Sequence, residues 1–154
     1  MELQNNLKLR KSTFSDWLFL LSLRNEPETR INSHNTNFID EEEHKNWLQK
    51  PLENNNRLLF ICSLDDKDCG SVRCDYDEID NSYELSWTIS PHFRGKGVGK
   101  NMVKKCIDLN NLSRIKSEVK KDNISSIKIS EYVGMVLREI KNNVCYFTNY
   151  EISS

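Results

Sequence analysis

Apolar and polar residues alternate through Leu7-Lys-Leu-Arg-Lys11, the period-two signature of a short strand. The period then lengthens. Thr13-Phe-Ser-Asp16 offers a Ser/Thr-x-x-Asp helix start, and an apolar run carries the helix to about Arg24, where Asn25-Glu-Pro27 is expected to stop it. A loop holding Arg30, Ser33, His34 and Asn35 follows. Asp40 is placed to cap a second helix whose first turn, Glu41-Glu-Glu43, sets negative charge at the positive end of the dipole. That helix should end near Lys50, before Pro51. From Arg57 the pattern turns strand-like: Leu58 to Ser63, a turn at Asp65-Asp-Lys-Asp68, then Gly70 to Tyr76 form a hairpin. A third strand, Tyr83 to Ser90, puts Leu85, Trp87 and Ile89 on one face and Glu84, Ser86 and Thr88 on the other. Val98, Met102, Val103, Cys106 and Leu109 then mark one face of a helix ending near Asn110-Asn111. Arg114 to Lys120 alternates again. Asn123 stands at a helix cap, Ile124 and Ile127 face inward, and Gly134 supplies the stop. Val136 to Ile140 and Val144 to Ile152 close the chain as a hairpin around Lys141-Asn-Asn143. The order βαα-βββ-α-β-α-ββ predicts a mixed α/β fold, with residues 1–154 as one domain and no internal repeat or linker.

Composition narrows the class. With 29% charged and 37% hydrophobic residues, the chain reads as an ordinary soluble globular protein. A net charge of -1 argues against nucleic acid as a partner, because that affinity rests on a basic surface. The longest apolar run, Trp17-Leu-Phe-Leu-Leu21, is too short to span a bilayer, and Met1-Glu-Leu-Gln-Asn-Asn6 lacks the basic start and apolar core of a signal peptide. The expectation is a cytoplasmic protein with no membrane partner. The five cysteines (62, 69, 74, 106, 145) read as free, buried thiols, and the scattered histidines 34, 44 and 92 give no metal-binding spacing.

The stretch Ser90-Pro-His-Phe-Arg-Gly-Lys-Gly-Val-Gly-Lys-Asn101 carries three of the five glycines, between a strand and a helix start. This is the geometry of an anion site: the first-turn N–H groups point outward, the dipole adds positive potential, and glycine admits a phosphate without a Cβ in the way. Arg94, Lys96, Lys100, Lys104 and Lys105 have no acid among them, which suits a ligand with several phosphates, although a solvated basic helix face accounts equally for Lys104 and Lys105. A Walker loop fails, because Arg94 stands at its first glycine and Asn101 at its hydroxyl; a dinucleotide fingerprint fails, because Met102 or Lys100 stands where its last glycine belongs.

Arg94-x-x-Gly97-x-Gly99, after a strand and opening a helix, resembles the Arg/Gln-x-x-Gly-x-Gly/Ala signature of the GNAT superfamily of N-acetyltransferases. Asn123-x-x-Ser126 with Glu131-x-x-Gly134-Met135 is similar to a second segment of that family. The resemblance covers nearly the whole chain and implies a mostly antiparallel central sheet flanked by helices. It also implies acetyl-coenzyme A as co-substrate, with its pyrophosphate on the amides of Arg94, Gly95, Lys96, Gly97, Val98, Gly99 and Lys100. Its pantetheine arm would lie along a V-shaped opening at Trp87, Thr88 and Ile89, and against Asn123, which is equally placed to be a plain helix cap.

An amine attacks a thioester only when neutral, so a nearby base is useful. The resemblance puts Glu84, seven residues before Pro91, in that role; the alternative is an exposed carboxylate in an acidic stretch. Ser130 occupies the place of the family's usual tyrosine acid, leaving Tyr132 or Tyr146 as substitutes, with Tyr146 preferred. Leu23 to Arg30, then Ser33, Asn35, Ile39, His44 and Trp47, resemble the acceptor region of acetyltransferases acting on nucleotide-linked 4-amino sugars, such as those of pseudaminic-acid pathways. Arg24 and Arg30 would then meet a diphosphate, while Asn25, Asn35 and His44 would read hydroxyls or base edges. Against this, Asn25 reads as a helix-end cap, Trp47 as core and His44 as a satisfied surface histidine. The acceptor expected is a small-molecule amine, with a ribosomal-protein-type N-terminal amine or a non-catalytic coenzyme A-binding module as alternatives; a polyamine acceptor would want a strongly acidic pocket, for which only Glu41 to Glu43 and the 75 to 84 stretch are candidates. Self-association into a homodimer stays open.

Overall fold

The computed structural model describes residues 6–33, 37–53 and 56–152, without the side chains of 49–53. His34 and Asn35, expected near the acceptor, lie outside the described residues. Seven strands form one sheet: β1 (Leu7–Lys11), β2 (Arg57–Leu64), β3 (Lys67–Asp77), β4 (Ser82–Ile89), β5 (Ile115–Lys120), β6 (Val136–Lys141) and β7 (Val144–Thr148). Their spatial order is β1-β2-β3-β4-β5-β7-β6, and every neighbouring pair is antiparallel except β4 with β5. The helices are α1 (Trp17–Asn25), α2 (Pro27–Asn32), α3 (Glu41–Glu53), α4 (Val98–Leu109) and α5 (Ile124–Tyr132). The mixed, mostly antiparallel sheet flanked by helices is the fold expected.

Period-two burial divides the sheet into two faces. On one, Phe60, Cys62, Val72, Cys74, Leu85, Ile115, Val119, Cys145 and Phe147 form the larger core with Val98, Met102, Val103 and Cys106 of α4. On the other, Leu59 and Ile61 of β2 pack under Leu20 of α1 and Leu48 of α3. Each such fully buried aliphatic side chain contributes roughly 1.5–3 kcal/mol. The five cysteines are free and buried.

The first helix ends at Asn25, as expected, with Glu26 extended. The segment expected to be a loop beyond it is helical instead: Pro27 starts α2, because the first helical position needs no N–H donor and favours the φ that proline fixes. Glu26 caps this helix by accepting the Thr29 N–H at 3.0 Å. Helix α3 likewise continues to Glu53, past Pro51, where only the last turn loses a bond. The final strand stops at Thr148 rather than Ile152. Asn149 turns the chain back, its Oδ1 accepting the Ile115 N–H and its Nδ2 donating to the Ser113 carbonyl.

The feature that positions the site is a splay between the two parallel strands. β4 pairs with β3 along its whole length, yet with β5 only at Tyr83 and Glu84. The Tyr83 N–H points to β5, at the Arg114 carbonyl, whereas the Ser90 N–H points to β3, at the Cys69 carbonyl. By alternation, the main-chain groups of Trp87 and Ile89 face the widening gap. Gly70 on β3 lets the other side close: a Cβ there would sit 2.6 Å from the Thr88 carbonyl oxygen.

Candidate active site

The glycine loop crosses the mouth of this gap. A single 3-10 turn at Pro91–Phe93 leads from β4 into it, and α4 begins at Val98 with Gly97 as its cap at φ +77. That left-handed conformation is open to glycine at little cost. The Asn101 N–H is the first to be taken within the helix, by the Gly97 carbonyl, so the amides of Val98, Gly99 and Lys100 remain pointed outward at the positive end of the dipole. Lys96 and Lys100 flank them, with their Nζ atoms 6.0 Å from the Phe93 ring and 5.0 Å from the Tyr132 ring. Lys104 instead pairs with Asp108, and Lys105 donates to the Leu7 carbonyl, so both are structural. The Arg94 side chain turns from the loop toward α2, where it meets Glu26 and Glu28.

Asn123 caps α5, its Oδ1 accepting the Ser126 N–H at 3.3 Å, while Ser126 Oγ accepts from Trp87 Nε1 at 3.1 Å. These contacts tie α5 to the far wall of the splay. Ser130 is fully buried and bonded to Ser117 Oγ at 2.9 Å, so its hydroxyl is turned into the core and not toward the gap.

Glu84 is half-buried on the sheet face that carries Ser86, Thr88, Arg73 and Ser71. Burial raises its pKa above the usual carboxylate range, the Glu118 charge raises it further, and Lys116 opposes both. Glu84 lies opposite Lys116, and Glu118 lies opposite Tyr146, so Tyr146 belongs to this same face, across the splay from Glu84.

On that face lies a cavity of about 100 Å³, lined among others by Arg24, Trp47, Arg73, Ser86 and Thr88. Arg24 stacks over the Trp47 ring at 4.3 Å and Arg73 lies 5.7 Å from the same ring. Desolvation and then the Arg73 charge lower the Arg24 pKa, with only Glu43 opposing. Arg73 has an acid beside it, Nε being 2.9 Å from Asp75 Oδ2, but the two are not aligned for a hydrogen bond. Two guanidinium groups therefore share one aromatic platform and half-buried cavity.

The remaining acceptor expectations resolve unevenly. His44 is not on the surface. It is fully buried, stacked on Trp47, and its Nδ1 accepts from Arg24 Nη1 at 3.0 Å. Because a guanidinium only donates, this bond fixes the neutral tautomer with the proton on Nε2. Burial and the Arg24 charge together depress its pKa to about 4. His44 thus supports Arg24 from behind, and its expected contact with acceptor hydroxyls is blocked by enclosure. The Asn25 amide closes the α2 loop, donating to the Ile39 carbonyl at 2.6 Å and accepting the Ile39 N–H at 2.7 Å. Arg30, on α2, lies 5.7 Å from the Phe38 ring, and its buried Nε has no hydrogen-bond partner among the described residues.

Sequence reading passed over Arg73, Glu26 and Gly70. Arg73 carried one legible signal, as a charged residue alternating with buried Val72 and Cys74; that it meets Arg24 follows only from packing α1 on β3.

The Acetyltransferase (GNAT) domain family matches residues 6–136. Solved structures agree in fold. Spermidine N-acetyltransferase from Vibrio cholerae, in complex with CoA and spermine, superposes with a TM-score of 0.81 at 20% identity over 94% of both chains. AAC(6')-Ib in complex with ribostamycin and coenzyme A gives 0.80 at 14% identity, over 93% of this chain and 92% of that one. A putative acetyltransferase from Salmonella typhimurium with acetyl-CoA gives 0.74 at 14% identity, over 97% and 98%. No curated protein sequence matches the chain. Since the family match takes in most of the sequence, and the loop, the splay and the half-buried carboxylate fall within it, the chain belongs to the acetyltransferase (GNAT) domain family and is an N-acetyltransferase that uses acetyl-coenzyme A.

Proposed function

We propose that the acceptor is an amine on an anionic molecule, the amino group of a nucleotide-linked amino sugar. One observation carries this reading: Arg24 and Arg73 share the Trp47 platform in the cavity beside Glu84. Asp75 offsets the Arg73 charge, while Arg24 is desolvated and repelled by Arg73, so an anion entering the cavity would relieve the cost of holding it there, and guanidinium forks match phosphate oxygens in geometry. The Vibrio cholerae enzyme acts on spermidine, a polycation. In this chain the same charge would approach two arginines and be repelled.

In the mechanism that follows, the amides of Val98, Gly99 and Lys100 hold the coenzyme diphosphate, aided by the charges of Lys96 and Lys100. The Trp87 main chain and the Ile89 N–H pair with the pantetheine arm as an added strand would, the Ile89 carbonyl being held by Arg94. Arg24 and Arg73 anchor the acceptor's phosphates, leaving the amine toward Glu84, one strand repeat of about 7 Å beyond Ser86 on the same face. Glu84, its proton affinity raised by burial, takes the ammonium proton and frees the lone pair for attack on the thioester carbonyl. Tyr146, on the same face across the splay, would protonate the departing thiolate.

Thiol release from acetyl-coenzyme A tests this reading with three acceptors: a uridine diphosphate-linked 4-amino sugar, a short peptide with a free N-terminus, and spermidine. The sugar nucleotide should give the highest kcat/KM by at least about tenfold, worth about 1.4 kcal/mol of transition-state binding. Preference for the peptide or for spermidine, or no turnover with any of the three, overturns the assignment.

A further inference from the structure

Arg94 opens the glycine motif, yet its side chain serves another part of the molecule. Nη1 donates to Glu28 Oε2 at 2.7 Å, and Nη2 donates to Glu26 Oε2 at 2.8 Å and to Thr29 Oγ1 at 3.2 Å. Nε donates to the Ile89 carbonyl at 3.1 Å. One planar, half-buried group thus joins the last residue of β4, the anion loop and the N-terminus of α2, across 65 to 68 positions of sequence on the helix side. Two carboxylates meet this one guanidinium, so its charge is fully consumed locally. Turning it to a phosphate would leave Glu26, with a side chain only 18% exposed, without its cation. The loop's positive charge is left to Lys96, Lys100 and the helix dipole.

The far side of this contact matters as much. Helix α2 follows one residue after α1, which carries Arg24 at the cavity, and the Asn25 to Ile39 clasp ties the chain beyond α2 back to the end of α1, so α2 is joined to the acceptor wall without itself lining the cavity. We propose that Arg94 is a positioning residue, a strut with Glu26 and Glu28 that fixes the acceptor wall to the coenzyme loop and makes order in one depend on order in the other. The inference rests on the loop being the coenzyme site, and is independent of which amine is acetylated. Filling the loop restrains Arg94 through its own main chain and the Ile89 carbonyl; the fork passes that restraint to Glu26 and Glu28. Cofactor binding therefore stiffens the wall against which the acceptor docks.

Amide hydrogen exchange of the full chain, with and without saturating coenzyme A, reads this directly. In the wild type, coenzyme A should slow exchange severalfold both in residues 91–101 and in residues 26–33. In Glu26→Gln, and more mildly in Glu28→Gln, protection should remain in the loop but fall away in 26–33. Calorimetry should show coenzyme A affinity reduced about fivefold by either Arg94→Gln or Glu26→Gln, with the double variant no weaker than the single ones, as expected for partners in one contact. If Arg94 binds the phosphate itself, Glu26→Gln frees it and leaves affinity unchanged or higher; that result overturns the strut. Loop protection with no change in 26–33 of the wild type also overturns it. Failure of the underlying loop assignment looks different: neither segment is protected, Gly97→Glu does not alter affinity, and the strut falls with it. Glu28→Gln, at a carboxylate 63% exposed, keeps the test alive if Glu26→Gln folds poorly.

Discussion

His44 shows how a single enclosed ring governs a cavity it does not touch. Its neutral form is held by burial and by the donor from Arg24, and its pKa of about 4 lies below the ordinary 6.5 of histidine. The unfolded chain therefore takes up this proton first. Stability from this group is fully present above about pH 6.5 and drains away as pH falls toward 4, by on the order of 3 kcal/mol in total. Urea unfolding between pH 7.5 and 4 should show that loss, and His44→Gln should flatten the difference; parallel curves for the two proteins would refute it. Glu84 has the opposite shift, its carboxyl pushed up by burial and by Glu118. If it takes the ammonium proton, Glu84→Gln should cut turnover about 10²-fold or more below the amine's own pKa, and less above it. A rate profile of unchanged shape and height would remove its role.

At the level of elements, β4 is the decisive strand, since it is paired along one edge and released from β5 after Glu84. Gly70 maintains the paired edge. A Cβ at this position meets a carbonyl oxygen at 2.6 Å, a backbone atom that cannot swing away. Gly70→Ala should push Thr88 and its neighbours toward the gap, cost about 1–3 kcal/mol in denaturant unfolding, and weaken coenzyme A binding. Unaltered affinity together with unaltered stability would show that the sheet absorbs the methyl group. The two prolines belong to this scale too: Pro27 sits in the first turn of α2, where no N–H is needed, whereas Pro51 sits in the last turn of α3, where it removes one bond to the carbonyl four residues back without ending the helix.

Over the whole molecule, a net charge of -1 conceals a sorted distribution. Lys96 and Lys100 flank the loop, Arg24 and Arg73 line the cavity, and Asp77 and Asp80 hold Lys116 at the opposite end of β4. Summed charge alone suggested no anionic ligand; its placement gathers basic groups at the loop and at the cavity. Local pattern sufficed for the seven strands and the longer helices, though not for α2, and for the helix caps at Asp40 and Asn123, the glycine turn and hence the family. These are written in backbone periodicity and in φ values that glycine allows, properties of a few consecutive residues. Long-range packing, and nothing local, seals His44 behind Arg24, joins Arg73 to Arg24 on Trp47, turns Ser130 to Ser117, and draws Arg94 from its own loop to Glu26 and Glu28. Those meetings join different elements, most of them residues 20 or more positions apart. Sheet register and helix placement bring them together, and no local pattern of hydrophobic and polar residues encodes either.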